Sequence, residues 1–494
     1  MRQLNLLAFD IGASNGRGIM GCFDGRRMTM RPVGSFDNHF SQRGDLATWD
    51  YQGILDNLKA VFAQARDLGL TPDCYGIDTW GVDYGLLDKD GRLLENPRAY
   101  RMSRDEEMHA AWQLLPRRAF FDITGVAALN FNTSYQLYRR VLEDDPALKR
   151  ARALLFMPDL LGHGLSGALG SEYTIATTSG LLDVRQRAWS RQIIEALDLP
   201  GGIFQPLDLP GSLRGRLSQP VAEELGLPRV PQAVVGGHDT ASAVAAIPGT
   251  GDFAFCSSGT WSLFGVESEQ PLLSDAVFDS NFSNEGTVQG GFRPLRNIMG
   301  LWLAQECRRA WAKESGKTLD WEDIKDQAAQ APPLVSVLDP DYPAFYTAGG
   351  MPQKIRAYCR RTGQPEPETV GQFARCIYES LALKYRWAVE RLGEIRGRPV
   401  TSLNITGGGI QNLLLNQMAA DSTGLPVTVG PVEGAALGNA LMQAMALGEI
   451  RDINQARQVV RDSVETQDYT PRRTAAWDEA YATLLRNMEE LAND

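Results

Sequence analysis

Three adjacent polar side chains, His238, Asp239 and Thr240, lie in GGHDTASAV, between a glycine pair and a run of small residues. A carboxylate flanked by an imidazole and a hydroxyl can take a proton from a bound hydroxyl group. It can also simply cap a helix, because Asp is a favoured cap residue. Other stretches have the composition of an anion cradle. DIGASNGR (residues 10–17) follows a strand end with a turn rich in glycine, hydroxyl and amide groups, and such turns aim backbone N–H groups at phosphate oxygens. Asp10, at the strand end, suits water-mediated binding of Mg²⁺. SSGTW (257–261) has the same character. GGGIQN (407–412) places three glycines in a row, an entropic cost that close approach of a flat ring or a phosphate would explain. Each turn alone fits an ordinary hairpin or helix start; together they favour a phosphate-and-adenosine site.

GIDTWGVDYG (76–85) carries Asp78 and Asp83 near a strand end, where carboxylates suit a polyol or sugar pocket better than packing. SGKT (315–318) resembles the end of a phosphate-binding P-loop, but Trp311 stands where that pattern needs glycine and the segment follows a helix, so it reads as a polar helix end. His39, His109 and His163 show no metal-ligand spacing.

The elements that must position these residues are legible as patterns. LNLLAFDIG, RGIMGCFDG and RMTMRPVGSF alternate like strands of a meander joined by glycine turns. YQGILDNLKAVFAQARDLG reads as a helix, CYGIDTW as a strand, and SYQLYRRVLEDD and SRQIIEALDL as helices. The Pro/Gly-rich patch Leu199–Pro231 marks the approach to a domain boundary. PQAVVGG and TASAVAAI frame the HDT cluster as a strand and a helix of very small residues. In the second half, FAFCSSGTWSLFGV matches LLAFDIGASNGRGIM in pattern, suggesting two related halves. NIMGLWLAQECRRAWAKES reads as a helix on which Asn297 begins, and Gln305 interrupts, an apolar face. GQFARCIYESLALKYRWAVERLGEI reads as another helix. SLNITGGGIQNLLLNQMAADSTG gives strand, turn and helix, followed by the strand PVTVG and a small-residue helix from Gly434.

At 494 residues the chain exceeds one ordinary core and suggests about three domain-sized units. A net charge of −11 argues against nucleic acid or an anionic membrane as the main partner. No segment approaches the roughly 18 apolar residues of a membrane span, and the apolar run of MRQLNLLAFDIG is too short for a signal peptide. Six cysteines without a C-x-x-C signal neither a zinc site nor a disulfide framework. A cytoplasmic location is expected.

DIGASNGR, GIDTWGVD, GGHDTASAV, SSGTWSL, NIMGLWLAQ and GGGIQNLLLNQ occur in the order and approximate spacing of the FGGY carbohydrate kinases, which the chain resembles over nearly its whole length. The resemblance implies an α/β fold of two actin-like (ribonuclease H-like) domains around a catalytic cleft. The sugar-side domain is expected at 1–243, the nucleotide-side domain at 244–450 and a helical tail at 451–494. It implies ATP and Mg²⁺ as cofactors and a small-molecule ketose as substrate, with no nucleic-acid or membrane partner. By residue, it assigns ATP phosphates to Ala13, Ser14, Asn15, Gly16, Arg17 and Thr260, with Asp10 near the metal, through water. Gln305, Gly408 and Asn412 would line the nucleotide site; Gly81, His238, Asp239, Thr240 and Asn297 would hold the sugar. Asp239 matches the family's proton acceptor. HDTASAV with NIMGLW points to the branch that phosphorylates L-rhamnulose on its C1 hydroxyl, in L-rhamnose catabolism. Gln136 stands where the wider family usually has Lys, as expected for that branch, and Met102 stands where Asp is expected. A kinase for L-fuculose or xylulose would share every nucleotide motif. A nucleotide-switched binding protein of the actin or Hsp70 type would not need a carboxylate beside His238 and Thr240.

Overall fold

The computed structural model describes residues 3–44, 46–472 and 474–492. They form two compact α/β units that interleave along the chain. The first comprises Met1–Pro248, Glu267–Pro294 and Glu433–Val464; the second comprises Gly249–Val266, Leu295–Val432 and Glu465–Asp494. Packing therefore divides the chain differently from the chain-order boundaries at 243 and 450. The Leu199–Pro231 patch lies inside the first unit, and the expected tail is split. Its helix Ile453–Ser463 buries Ile453, Ala456, Val459 and Val460 in a core shared with Leu6, Phe23 and Met28, whereas Ala475–Ala492 belongs to the second unit.

In the first unit the strands are β1 (Leu4–Ile11), β2 (Asn15–Phe23), β3 (Met28–Asp37), β4 (Cys74–Thr79), β5 (Ser212–Arg216) and β6 (Pro231–Val234). They form one sheet in the order β5-β6-β4-β1-β2-β3. The first three are the expected antiparallel meander, and β4 lies parallel to β1 on one side and to β6 on the other. β1 shows why its sequence is almost uninterruptedly apolar. Leu7, Phe9 and Ile11 face one core with Leu58 and Phe62, while Leu6 faces another with Ala241 and Leu437, so both faces of the strand are covered. The helix Tyr51–Asp67 supplies the first cover. Asp50 caps it, accepting from the Gly53 N–H at 3.1 Å, and Ile54, Leu55, Leu58, Val61, Phe62 and Ala65 form its buried stripe.

The second unit repeats the plan. Six strands of a seven-stranded sheet, β7 (Phe253–Ser258), β8 (Trp261–Val266), β9 (Phe292–Met299), β10 (Ser402–Thr406), β11 (Val427–Val429) and β12 (Gln467–Tyr469), run in the order β9-β8-β7-β10-β11-β12. An antiparallel meander, two parallel additions and a final antiparallel strand repeat the first unit's strand order and directions, although that edge strand follows its neighbour in the chain here (β12 after β11) and precedes it there (β5 before β6). The likeness read between the two hairpins thus extends to six strands of each sheet. One helix assignment needs correction. Asn297 is not on a helix: it lies in β9 opposite Leu263, and the helix begins at Trp302 and ends at Ser315. Pairing with β8 along Leu295–Met299 takes the backbone groups that a helix would have used. SGKT does sit at the end of that helix, where Gly316 closes it in the left-handed conformation. All six cysteines are free and buried. Among the described residues no helix is long and apolar enough to cross a membrane.

The small residues after HDT have a packing reason. The helix Asp239–Ala245 lies against the helix Gly434–Ala446 so closely that a Cβ on Gly438 would collide with the Ser242 carbonyl oxygen. Gly438→Ala should therefore push the two helices apart and cost about 1–3 kcal/mol, the usual scale of overpacking. A urea or thermal midpoint indistinguishable from the parent protein's would refute so close an approach.

Candidate functional site

Strand register assembles the acidic corner of the first unit. Parallel pairing of β1 with β4 sets Asp10 opposite Asp78 and Ile11 opposite Thr79. The Thr79 N–H then donates to the Gly237 carbonyl at 2.9 Å, which ties the end of β4 to the turn after β6. Asp10, Asp78 and the HDT turn thus leave the sheet at the same edge, beyond the carboxyl ends of adjacent parallel strands, where α/β sheets place their ligands.

Asp10 Oδ2 accepts from Arg17 Nε at 3.1 Å and from Nη2 at 2.9 Å. Arg17 Nη1 also lies 2.8 Å from Glu433 Oε2, so the arginine is clamped between two carboxylates. Asp78 Oδ2 accepts from Asn439 Nδ2 at 2.6 Å, while its Oδ1 is buried with no hydrogen-bond partner among the described residues. Burial raises the Asp10 carboxyl; Arg17 opposes the rise, and the carboxylates of Asp239 and Glu433 add to it. Burial and the neighbouring Asp10 hold Asp78 well above the ordinary carboxylate range. The turn between β1 and β2 is fixed from beneath: Gly12 N–H donates to Asn15 O at 2.8 Å and Asn38 Nδ2 donates to Gly12 O at 3.0 Å. Ser14 and Asn15 are left exposed, Ala13 and Arg17 half-buried and Gly16 buried.

In the HDT turn, His238 occupies the cap position and Asp239 is the first residue of the helix. Asp239 is therefore not the helix cap, although its Oδ1 accepts from the Thr240 N–H at 2.5 Å and from the Thr240 hydroxyl at 3.0 Å. Its Oδ2 has no hydrogen-bond partner among the described residues, and the side chain is 34% exposed. One carboxylate oxygen is anchored and the other is left to meet a ligand. His238 Nε2 lies 3.5 Å from Asp239 Oδ1, and Nδ1 lies 3.0 Å from Glu285 Oε2. The fully buried Arg293 donates from Nη2 to the same Glu285 oxygen at 3.1 Å. Burial alone would raise Glu285, but His238 and Arg293 hold it below its ordinary value. The turn is also gripped from below by Glu172, which accepts the N–H groups of Gly237 at 2.9 Å, Thr174 at 2.6 Å and Ile175 at 2.9 Å. Burial nevertheless pushes the Glu172 carboxyl up to about 7.

Beyond β4, Gly81 precedes a strained residue. Val82 has φ 67, which a β-branched side chain disfavours. It is held there by Thr178 Oγ1, which accepts its N–H at 3.2 Å, and by Thr133 Oγ1, which donates to its carbonyl at 2.6 Å. Asp83 does not serve as a pocket carboxylate. It is fully buried, and its Oδ2 accepts the indole N–H groups of Trp49 at 2.7 Å and Trp80 at 2.9 Å. Satisfying two buried indole donors is its evident work; burial pushes its carboxyl up to about 6. Gln136 Nε2 donates to Phe131 O at 2.8 Å, and Met102 packs half-buried against the core below.

The second unit gathers its own set. Parallel pairing of β7 with β10 sets Ser257 opposite Thr406, so the turns that follow these strands adjoin. Thr260 is exposed, its hydroxyl 3.3 Å from the Gln305 side-chain amide. Asn412 Oδ1 caps the helix Leu413–Thr423, accepting the Leu415 N–H at 3.1 Å. The three glycines have separate reasons. Gly407 has φ 89 and a Cβ there would lie 2.8 Å from Ser258 O, while a Cβ on Gly409 would collide with the Ser258 hydroxyl. At Gly408 nothing lies within 4 Å. The outer two are demanded by the backbone; the middle one faces open space. Asn297 Oδ1, on β9, is buried without a hydrogen-bond partner among the described residues.

Glu172, Glu285, Arg293, Glu433 and Asn439 escaped the sequence reading. Four of them come from the segments 267–294 and 433–464, which rejoin the first unit from far along the chain. Their faint signal is a charged or amide residue inside an apolar stretch, as Arg293 is in GGFRPL.

Residues 5–246 match the N-terminal domain, and residues 254–447 the C-terminal domain, of the FGGY family of carbohydrate kinases. The chain is 40% identical over 487 residues to a rhamnulokinase from Bacteroides thetaiotaomicron, covering 97% of this chain and 98% of the relative. It is 36% identical over 467 residues to a rhamnulokinase from Bacillus subtilis, covering 94% and 95%. Among solved structures it is similar to a xylulose kinase from Rhodospirillum rubrum, with a TM-score of 0.80 at 18% identity and coverage of 100% and 99%. It is also similar to Plasmodium falciparum glycerol kinase with ADP, with a TM-score of 0.78 at 14% identity and coverage of 99% and 98%. At those identities the structural likenesses bear on the fold alone.

The open space at Gly408 gives a clean test of the nucleotide assignment. Gly408→Val should fold with little change in thermal midpoint, because no protein atom lies within 4 Å of a Cβ placed there. The KM for ATP should rise about tenfold or more, equivalent to about 1.4 kcal/mol, with little change in the KM for sugar. An unchanged ATP affinity in the folded variant would remove GGGIQN from the nucleotide site.

Proposed function

The chain belongs to the FGGY family of carbohydrate kinases, and from that premise we propose that it transfers the γ-phosphoryl group of ATP to the C1 hydroxyl of L-rhamnulose. The products are L-rhamnulose 1-phosphate and ADP. The observation that carries the choice of sugar is the near full-length identity of 36–40% to rhamnulokinases. We assign the reaction to the cytoplasm, where ATP is supplied.

In this reading Asp239 is the general base. Its Oδ2 takes the proton of the C1 hydroxyl as that oxygen attacks the γ-phosphorus, and the bond to the β-γ bridging oxygen breaks in line. Anchoring Oδ1 on Thr240 aims Oδ2 without occupying it. Gly81, His238, Thr240 and Asn297 hold the sugar. Ala13, Ser14, Asn15, Gly16, Arg17 and Thr260 meet the phosphates, and Gln305, Gly408 and Asn412 line the adenosine side. For Arg17 this means exchanging part of its clamp on Asp10 and Glu433 for phosphate oxygens.

The acidic corner suits Mg²⁺ held at one remove. Among the described residues no three His, Cys, Asp or Glu side chains converge to ligate a metal directly. The orphaned Asp78 Oδ1 and the crowded Asp10 carboxyl are nonetheless groups that a nearby cation would relieve. Asp10 would hold the ion through water. Bound there, Mg²⁺ supplies positive charge against the triphosphate oxygens.

The assignment is tested by ADP release over a ketose panel, where kcat/KM should be highest for L-rhamnulose. Sites that hydrogen-bond hydroxyls discriminate strongly among their placements, while a methyl group counts for less, so weak turnover of L-fuculose or L-xylulose is expected. A higher kcat/KM on either would overturn the choice of sugar. Asp239→Asn keeps an oxygen for the Thr240 donors, so the fold and both affinities should survive while kcat falls about 10²–10⁴-fold. Turnover within a few-fold of the parent enzyme would return Asp239 to a purely structural role.

A further inference from the structure

Two charged groups converge on one atom, His238 Nδ1. Glu285 Oε2 lies 3.0 Å from it and Arg293 Nη2 lies 3.3 Å from it. An arginine can only donate and an ionised carboxylate can only accept, so Nδ1 cannot serve both. Arg293 has another acceptor, because its Nη2 reaches the same Glu285 oxygen at 3.1 Å. Its Nε donates to the Gly286 carbonyl at 2.8 Å, which fixes the guanidinium plane. Glu285 Oε2, only 3.0 Å from Nδ1, would meet a bare Nδ1 lone pair with repulsion, so that contact needs a proton between the two atoms. The consistent arrangement is Arg293 donating to Glu285 and His238 donating to Glu285 through an Nδ1-bound proton.

That arrangement has a consequence at the other end of the ring. With a single ring proton, on Nδ1, the imidazole presents a bare lone pair at Nε2. Nε2 lies 3.5 Å from Asp239 Oδ1, which is itself an acceptor already engaged by Thr240. Two acceptors therefore stand side by side at the edge of the corner. Acceptors so close are mutually unfavourable unless donors come between or beside them, and the hydroxyl groups of a polyol are such donors.

We propose that Glu285, braced by Arg293, is a positioning residue for the sugar: it fixes the Nδ1-protonated tautomer of His238, so that Nε2 accepts a substrate hydroxyl beside Asp239. This deepens, and rests on, the sugar-kinase reading given above. It assigns the imidazole a binding role as acceptor and leaves proton removal from the attacking hydroxyl to Asp239. The charged groups facing the ring are Asp239, Glu285 and Arg293, and Glu172 holds the adjoining Gly237.

The tautomer can be measured without substrate. The chain has only four histidines, so ¹⁵N-histidine labelling gives four ring pairs, and His238→Gln identifies the one of interest by its loss. At neutral pH the parent protein should show His238 protonated on Nδ1 and bare on Nε2, and Glu285→Gln should lose that fixed pattern. In the kinetics, Glu285→Gln should raise the KM for L-rhamnulose roughly 3- to 10-fold, the worth of one hydrogen bond. The KM for ATP should be unchanged and kcat should fall less than the sugar KM rises. Glu285→Asp, which restores an obligate acceptor, should regain the tautomer and part of the sugar affinity. If Glu285→Gln does not fold, the parent spectrum and Glu285→Asp carry the test. An Nε2-protonated or doubly protonated His238 in the parent protein overturns the inference. So does an unchanged sugar KM in folded Glu285→Gln while the parent turns over L-rhamnulose. A parent enzyme inactive on every ketose, with the Nδ1 tautomer present, overturns the kinase reading instead.

Discussion

The backbone hydrogen bond from Thr79 to Gly237, together with the β1–β4 register, forces carboxylates to leave the first sheet side by side. Parallel strands in register have their carboxyl ends at the same height, so an acidic residue near the end of each produces a row. Burying such a row is unfavourable, since desolvation penalises each charge and the neighbours repel. Much of the surrounding structure is a response to that single constraint. Arg17 bridges Asp10 and Glu433, Asn439 meets one oxygen of Asp78, and Thr240 meets one oxygen of Asp239. The response is incomplete at Asp78 Oδ1, and incompleteness is what a site prepared for polar ligands requires.

The second unit shows the same plan put to a different use. Its corresponding strand ends carry Ser257 and Thr406 instead of aspartates, and the turns beyond them are built of glycine and hydroxyl groups. Without a row of charges to compensate, the backbones can approach: Gly407 and Gly409 abut Ser258 and no ion pair is needed. One topology thus yields an acidic corner in one copy and a close-fitting neutral turn in the other. The division of labour lies in a few residues at strand ends, not in the sheets.

What was legible in the sequence follows from range. β1, β2, β3 and the helix Tyr51–Asp67 carry their pattern within a few turns of chain, through alternation, glycine turns and a cap, and they stand where expected. The motif residues of both units were visible as glycine-rich turns after apolar strands. NIM was misread because three residues do not distinguish a strand end from a helix start; pairing with β8 decided it. Asp83 was misread because a carboxylate looks the same in sequence whether it meets a ligand or two buried indoles. Glu285, Arg293, Glu433 and Asn439 were invisible for a third reason. Their roles depend on partners 8 to more than 400 residues away, and no local pattern announces such a pairing.

The interleaving of the units also bears on how the chain can be made. Arg17 waits for a partner 416 residues later and Asp78 for one 361 residues later. The helix Gly434–Ala446, which covers one face of β1 and supplies Asn439, is synthesised after nearly all of the second unit. Domains ordinarily fold as they emerge, the N-terminal one first. Here a nascent chain of 248 residues lacks the helix that covers one face of its central sheet and the amide that meets Asp78. The first unit is complete only once its segment ending at Val464 has been made, and the second only with the segment from Glu465, so neither can close from its earlier segments alone.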